Sequence, residues 1–211
     1  MNKKERLAAF NRNNILSASK RLFVEKGIDQ TTMDDISKEA EYSKSTVYVY
    51  FKSKDEIFSY IILEYFGILK AAISDALKSE PEFLDGYFAV CKALSESYMS
   101  CPLFFESLLS EIKIPNDISE TLLQEIYNVG EEINEIIESY LKKCVSTNQV
   151  NLDMPPIRAT FILWAGITGI ITTAHKKEAY INKAMTITKE DFMQDGFRLL
   201  LKAIMEDKYE N

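Results

Sequence analysis

Residues 31–55 read TTMDDISKEAEYSKSTVYVYFKSKD, and this stretch decides the fold. Thr32 stands where a helix N-cap belongs, and Asp35, three positions on, completes an approximate capping box. Met33, Ile36 and Ala40 then fall on one helical face. Glu41, Tyr42 and Ser43 make a turn, with Ser43 suited to cap a second short helix. That helix carries Lys44, Ser45, Thr46, Tyr48 and Tyr50 outward and turns Val47 and Phe51 into a small core. Ser53-Lys54-Asp55-Glu56 is an S-x-x-E capping box that opens a longer helix.

Two helices joined by a three-residue turn form a helix-turn-helix, whose second member lies in the DNA major groove. Hydroxyls and an aliphatic amine in its first turn suit phosphates and base edges. An ordinary helical hairpin has the same spacing, so spacing alone leaves both readings open.

The wording of the stretch goes further. It resembles the N-terminal module of TetR-family transcriptional regulators, over about 45 residues. The match begins at Ile15-x-x-Ala18-x-x-x-Leu22-Phe23-x-x-x-Gly27 and continues through Thr31-Thr32-Met33-x-x-Ile36. It ends with Ser43-Lys44-x-Thr46-Val47-Tyr48-x-Tyr50-Phe51-x-Ser53-Lys54-x-x-Ile57. Glu41 and Tyr42 depart from the Gly and small aliphatic residue usual in the family's turn. A left-handed non-Gly residue at position 41 costs about 1 kcal/mol, which a fold tolerates. The resemblance implies an all-α protein of about nine helices. Residues 1–52 are a three-helix DNA-binding head, and residues 53–211 a larger helical body for effector binding and dimerisation. It also implies that Thr32, Tyr48 and Lys54 clamp the DNA backbone. The candidate DNA-binding set is Thr32, Ser43, Lys44, Ser45, Thr46, Tyr48, Tyr50, Lys52 and Lys54.

Charge is divided along the chain in the same way. The 211 residues carry a net −7, but residues 1–55 hold 11 Lys/Arg against 8 Asp/Glu, and the remainder 14 against 24. A head of +3 on a body of −10 fits a nucleic-acid reader carried by an acidic partner-binding body. Because +3 is modest, two copies are expected to share the phosphate contacts.

Ahead of the head, Lys3, Lys4 and Arg6 form a basic arm, either disordered or lying along DNA. The first helix is expected over about 11–26, burying Ile15, Ala18, Leu22 and Phe23, with Gly27 at its C-terminal cap. The N-terminus lacks the apolar run of a signal peptide. From Ser53 to about Ser79 the apolar residues recur at helical spacing, and no Pro or Gly separates this helix from the head, as a rigid connection requires. Pro81 breaks the chain before a helix over about 82–100. Pro102 opens a short helix with Phe104, Phe105, Leu108 and Ile112, and Pro115 precedes a long one from Asn116 or Asp117 to about Val145. Residues 156–177 are apolar on most sides, residues 178–188 read as a polar linker, and a last helix runs from Lys189 to about Glu206. The two C-terminal helices carry more apolar surface than a monomer exposes, and the family resemblance implies that they pair with their twofold mates.

The composition, with 7 Gly, 5 Pro and 46% hydrophobic residues, favours a helical core. Cys91, Cys101 and Cys144 form no C-x-x-C pair and read as buried thiols of a reducing cytoplasm. The nearly uncharged run from Ala159 to Ala174 falls short of a membrane span, so no membrane partner is expected. Glu131, Glu132, Glu135 and Glu138 read as a solvated face and not a carboxylate metal site, since bundle sites use Glu-x-x-His pairs and the only histidine is His175. No metal or cofactor is expected. With one histidine, no Gly-rich phosphate loop and no nucleophile–base pairing, an enzyme is disfavoured.

The expected protein is therefore a repressor that binds a palindromic operator as a homodimer and is released by a small lipophilic effector. The alternative is a helical protein-interaction or ligand-binding module without DNA binding. Candidate effector contacts, each competing with a plain core role, are Tyr65, Tyr87, Cys91, Tyr98, Phe105, Trp164 and His175. Glu96, Glu106 and Glu111 are candidates for a cationic effector.

Overall fold

A computed structural model describes residues 2–78, 82–107 and 118–205. The expectations placed on Pro81, Leu108, Glu111, Ile112, Pro115, Asn116, Asp117 and Glu206 lie outside the described residues. Ten helices and no strand occur among those described. In chain order they are α1 Lys3–Lys26, α2 Met33–Glu39, α3 Lys44–Tyr50, α4 Lys54–Lys78, α5 Phe83–Ser100, α6 Pro102–Ser107, α7 Glu120–Ser146, α8 Pro156–Lys176, α9 Glu178–Met185 and α10 Lys189–Met205.

The tenth helix is α9, where a polar linker was expected. Its one buried residue is Ile181, too little to leave a periodic apolar signal in the sequence. The second correction concerns α1, which starts eight residues before the expected Asn11. Asn2 caps it through a reciprocal box with Glu5, and Leu7, Ala8 and Ala9 are good helix formers. The first two turns are exposed, so no apolar stripe announces them. Gly27 ends α1 with φ 84°.

The chain gathers into two compact units, one of Met1–Gly67 with Glu106–Val129 and one of Ile68–Phe105 with Gly130–Asn211. In the first, α1 buries Ile15, Ala18 and Phe23 together with Ile36, Val47, Phe51, Ile57 and Ile61. Edge-on aromatic pairs add shape, Phe23 with Phe58 at 5.9 Å and Phe51 with Tyr60 at 5.8 Å. The guanidinium of Arg12 lies over both rings of the second pair, 3.9 Å from the Tyr60 centroid and 4.7 Å from that of Phe51.

In the second unit α8 packs against α5, α9 and α10. Small residues set the α8–α10 approach. A Cβ on Gly166 would meet Leu200 at 2.7 Å, and one on Gly196 would meet Ile170 at 3.0 Å. The Tyr87 hydroxyl donates to the Phe197 carbonyl at 2.9 Å, fastening α5 to α10. Both α4 and α8 are long and apolar enough to cross a bilayer by length and composition, because α8 extends beyond the run 159–174 at both ends. In this fold each buries part of that apolar surface inside the protein.

Candidate nucleic-acid interface and body cavity

Local chemistry builds the helix-turn-helix. Thr32 caps α2 in a reciprocal box. Its hydroxyl accepts from the Asp35 N–H at 3.2 Å, and its own N–H donates to Asp35 Oδ2 at 2.9 Å. The Thr32 hydroxyl and N–H, and then Lys26, hold the Asp35 carboxyl down to about 2. Glu41 turns the chain with φ 60°, so the left-handed position lacks the family's usual glycine. Ser43 caps α3 by accepting from the Thr46 N–H at 3.1 Å. Ser43 Oγ also shares hydrogen bonds with Ser45 Oγ at 2.9 Å and Thr46 Oγ1 at 2.7 Å.

The short helix α3 buries Val47 and leaves Lys44, Ser45, Tyr48 and Val49 exposed. Thr46 and Tyr50 are half-buried, and Lys52 is exposed just beyond the helix. Lys44 reaches back to Asp34 of α2 at 3.0 Å. Its hydrogen bond and positive charge lower the Asp34 carboxyl and raise the lysine in return. Sequence reasoning missed Val49, which is 79% exposed; an apolar residue next to Tyr48 on so short a helix is the signal that was available.

Two further polar links were not foreseen. The Tyr42 hydroxyl donates to Asn11 Oδ1 at 2.9 Å, and Asn11 Nδ2 donates to the Tyr50 hydroxyl at 3.0 Å. The turn residue that departs from the family pattern thus joins α1 to the far end of α3. Asn14 adds a bond to the Ala40 carbonyl at 3.1 Å. Lys54, at the start of α4, donates to the carbonyls of Ile28 at 2.9 Å and Asp29 at 3.2 Å. Glu56 accepts from the Lys52 N–H at 2.5 Å while its own N–H donates to Ser53 Oγ at 3.1 Å, so the box at α4 closes one residue earlier than the S-x-x-E reading.

The candidate effector residues divide. Tyr65 is buried in the first unit, and the other six lie in the second. Tyr87 and Trp164 line an apolar cavity of about 40 Å³, together with Leu77, Val90, Leu94 and Ile167. That is well short of the roughly 300 Å³ at which ligand pockets begin. Cys91 lies beside Tyr87, and burial pushes its thiol up to about 12; burial, then Cys91, raises the Tyr87 phenol. Tyr98 meets Phe105 edge-on at 5.2 Å and stacks on His175 at 4.5 Å. Burial, then the charge of Lys189, lowers the His175 imidazole. Glu96 faces solvent beside Lys92, and Glu106 is half-buried.

A capped three-helix head that exposes one short helix defines a helix-turn-helix protein. Residues 15–61 match the family model described as bacterial regulatory proteins, tetR family, so the head of the chain is similar to that of TetR-family transcriptional regulators. An uncharacterized HTH-type transcriptional regulator of Haemophilus influenzae is 28% identical over 102 residues, 48% of this chain and 54% of its own. The chain therefore spans about half the length of that relative. Among solved structures, the SmeT–triclosan complex superposes with a TM-score of 0.65 at 18% identity, covering 93% of this chain and 92% of its own. The regulator FadR from Bacillus subtilis, in complex with stearoyl-CoA, superposes with a TM-score of 0.67 at 16% identity, covering 90% of this chain and 98% of its own. These structural likenesses establish the fold.

Proposed function

We propose that the protein is a cytoplasmic repressor that binds a palindromic operator as a homodimer and is released by a small lipophilic ligand. Residues 1–52 serve as the reader, and residues 53–211 as the effector-binding and dimerising body. The single observation that carries this reading is α3, a Ser43-capped helix whose exposed face offers Lys44, Ser45, Tyr48 and Val49. Amine and hydroxyl groups suit phosphates and base edges, and Val49 suits a thymine methyl. Thr32, Ser43, Thr46, Tyr50 and Lys52 flank that face. Lys54 spends two of its three donors on backbone carbonyls and keeps one for a phosphate.

Pairing through α8 and α10 is supported by apolar surface left uncovered, Phe161, Ile162 and Leu199 being 54%, 49% and 72% exposed. Two readers related by a twofold axis then address half-sites about 34 Å apart. Triclosan, an apolar bis-aryl ether, and stearoyl-CoA, which carries a long apolar acyl chain, are bound by two proteins of the same fold, which supports an effector with a lipophilic part held among the body's aromatic side chains.

Footprinting the DNA that flanks the protein's own gene tests this reading. Protection of an inverted repeat, lost steeply as salt rises, is the expected result. Protection of no sequence, or equal binding to every duplex, would defeat it.

A further inference from the structure

The helix α8 carries a polar stripe inside an otherwise apolar wall. Trp164, Thr168, Thr172 and His175 fall within about 80° of one another around the helix. Thr168 is fully buried and satisfies its hydroxyl on the Trp164 carbonyl at 2.6 Å. Further along, Thr172 Oγ1 and His175 Nε2 are buried with no hydrogen-bond partner among the described residues. Buried polar atoms are nearly always paired, so two orphans one helical turn apart call for an external partner. The same stripe starts at Trp164, which lines the apolar cavity with Tyr87, Leu94 and Ile167. Tyr98, stacked on His175, closes the polar end.

We propose that this stripe seats an elongated amphiphile, whose alkyl or acyl chain enters the cavity beside Trp164 and whose hydrogen-bonding head pairs with Thr172 Oγ1 and His175 Nε2. The proposal rests on the ligand half of the reading above and names its chemical class; it does not depend on DNA binding. At 1.5 Å per residue, Trp164 lies about 12 Å along the axis from Thr172 and about 17 Å from His175. A chain about as long as that of dodecanoate spans this distance. A cavity of about 40 Å³ admits only part of such a chain, so α5 and α8 part as it enters. An apolar ligand without a head leaves both orphans unmet and gains nothing from that end of the stripe.

The chain contains one tryptophan and one histidine, so Trp164 emission and, in nitrogen-15-enriched protein, the His175 ring resonances are each assigned without ambiguity. The whole protein, free of DNA, is titrated with dodecanoate, with dodecanol and with octane. Trp164 emission and the imidazole nitrogen resonances of His175 are followed together. At least one of the two head-bearing probes is expected to move both signals saturably, the responding one identifying the head as acid or alcohol, while octane leaves the His175 resonances in place. Thr172→Val and His175→Phe preserve shape and remove an orphan each. They are expected to hold or raise the melting temperature, and to weaken the responding probe about tenfold. The inference is overturned if neither head-bearing probe moves the His175 resonances, if octane moves them equally, or if the folded Thr172→Val protein binds the probe as tightly as the wild type. Where a variant fails to fold, the wild-type His175 resonances decide alone. Operator binding by the same preparation reports separately on the DNA reading.

Discussion

In the proposed reader, Asp34 would compete with DNA for Lys44. Their ion pair is 3.0 Å long and both side chains are exposed, so solvent screens it and it contributes little to stability. In the proposed complex a phosphate would take Lys44 from Asp34, and the carboxylate left behind would repel the same backbone. Asp34→Ala is expected to tighten operator binding and to steepen the dependence of log K on log salt by up to about 0.9, one more phosphate neutralised. Fluorescence anisotropy across a salt series measures both. An unchanged affinity and slope would place Lys44 away from phosphate. This pairing was not legible beforehand, because it depends on how α2 and α3 cross and not on spacing within either. The Asn11 links to Tyr42 and Tyr50 span 31 and 39 residues, and no local rule connects them. Lys54 shows a different limit. Its partners are main-chain carbonyls, which every residue carries and which leave no mark in the sequence.

At the scale of the helix, local rules served well. Capping acts within four residues, and the boundaries expected at Thr32, Ser43 and Gly27 are those observed. A cap also makes a helix sensitive to pH. Asp35 titrates near 2 in the folded protein, because the Thr32 hydroxyl and N–H and then Lys26 favour its charged form; an unfolded aspartate titrates near about 3.9. The folded value is the lower one, so this stabilisation is complete above the unfolded value and disappears as pH falls through the folded one. The wild type is accordingly expected to melt above the Asp35→Asn variant near neutral pH, with the gap closing between about pH 5 and 2. A gap that stays constant over that window would show that the carboxylate's charge does not hold the end of α2. Where apolar contrast was absent the reading failed. The early turns of α1 are solvated throughout, and α9 rests on Ile181 alone, so neither produced the periodicity that marks a helix.

For the molecule as a whole, α8 is apolar on more sides than the single chain covers. Its inner face packs on α5 and α10, and Gly166 admits Leu200 there. The outer face presents Phe161, Ile162, Ala165 and Gly169 to solvent, and nothing lies within 4 Å of where a Gly169 side chain would be. Scattered single apolar residues are ordinary, whereas four within three turns of one helix form a patch. A second copy brought against the same face would meet an identical surface, as an isologous twofold contact requires. Ile162→Glu tests this with little risk to the fold, since that side chain is 49% exposed in the single chain. In a paired interface the new carboxylate would be desolvated opposite its own twin, and both charges would be buried without partners. Sedimentation of the variant is expected to show monomers with undiminished helical circular dichroism, where the wild type shows dimers. Binding to an inverted repeat should weaken far more than binding to one half-site, because only the linkage between two readers is lost. A variant that stays dimeric, with full affinity for the repeat, would remove the outer face of α8 from the interface and leave the second reader to be recruited by another surface.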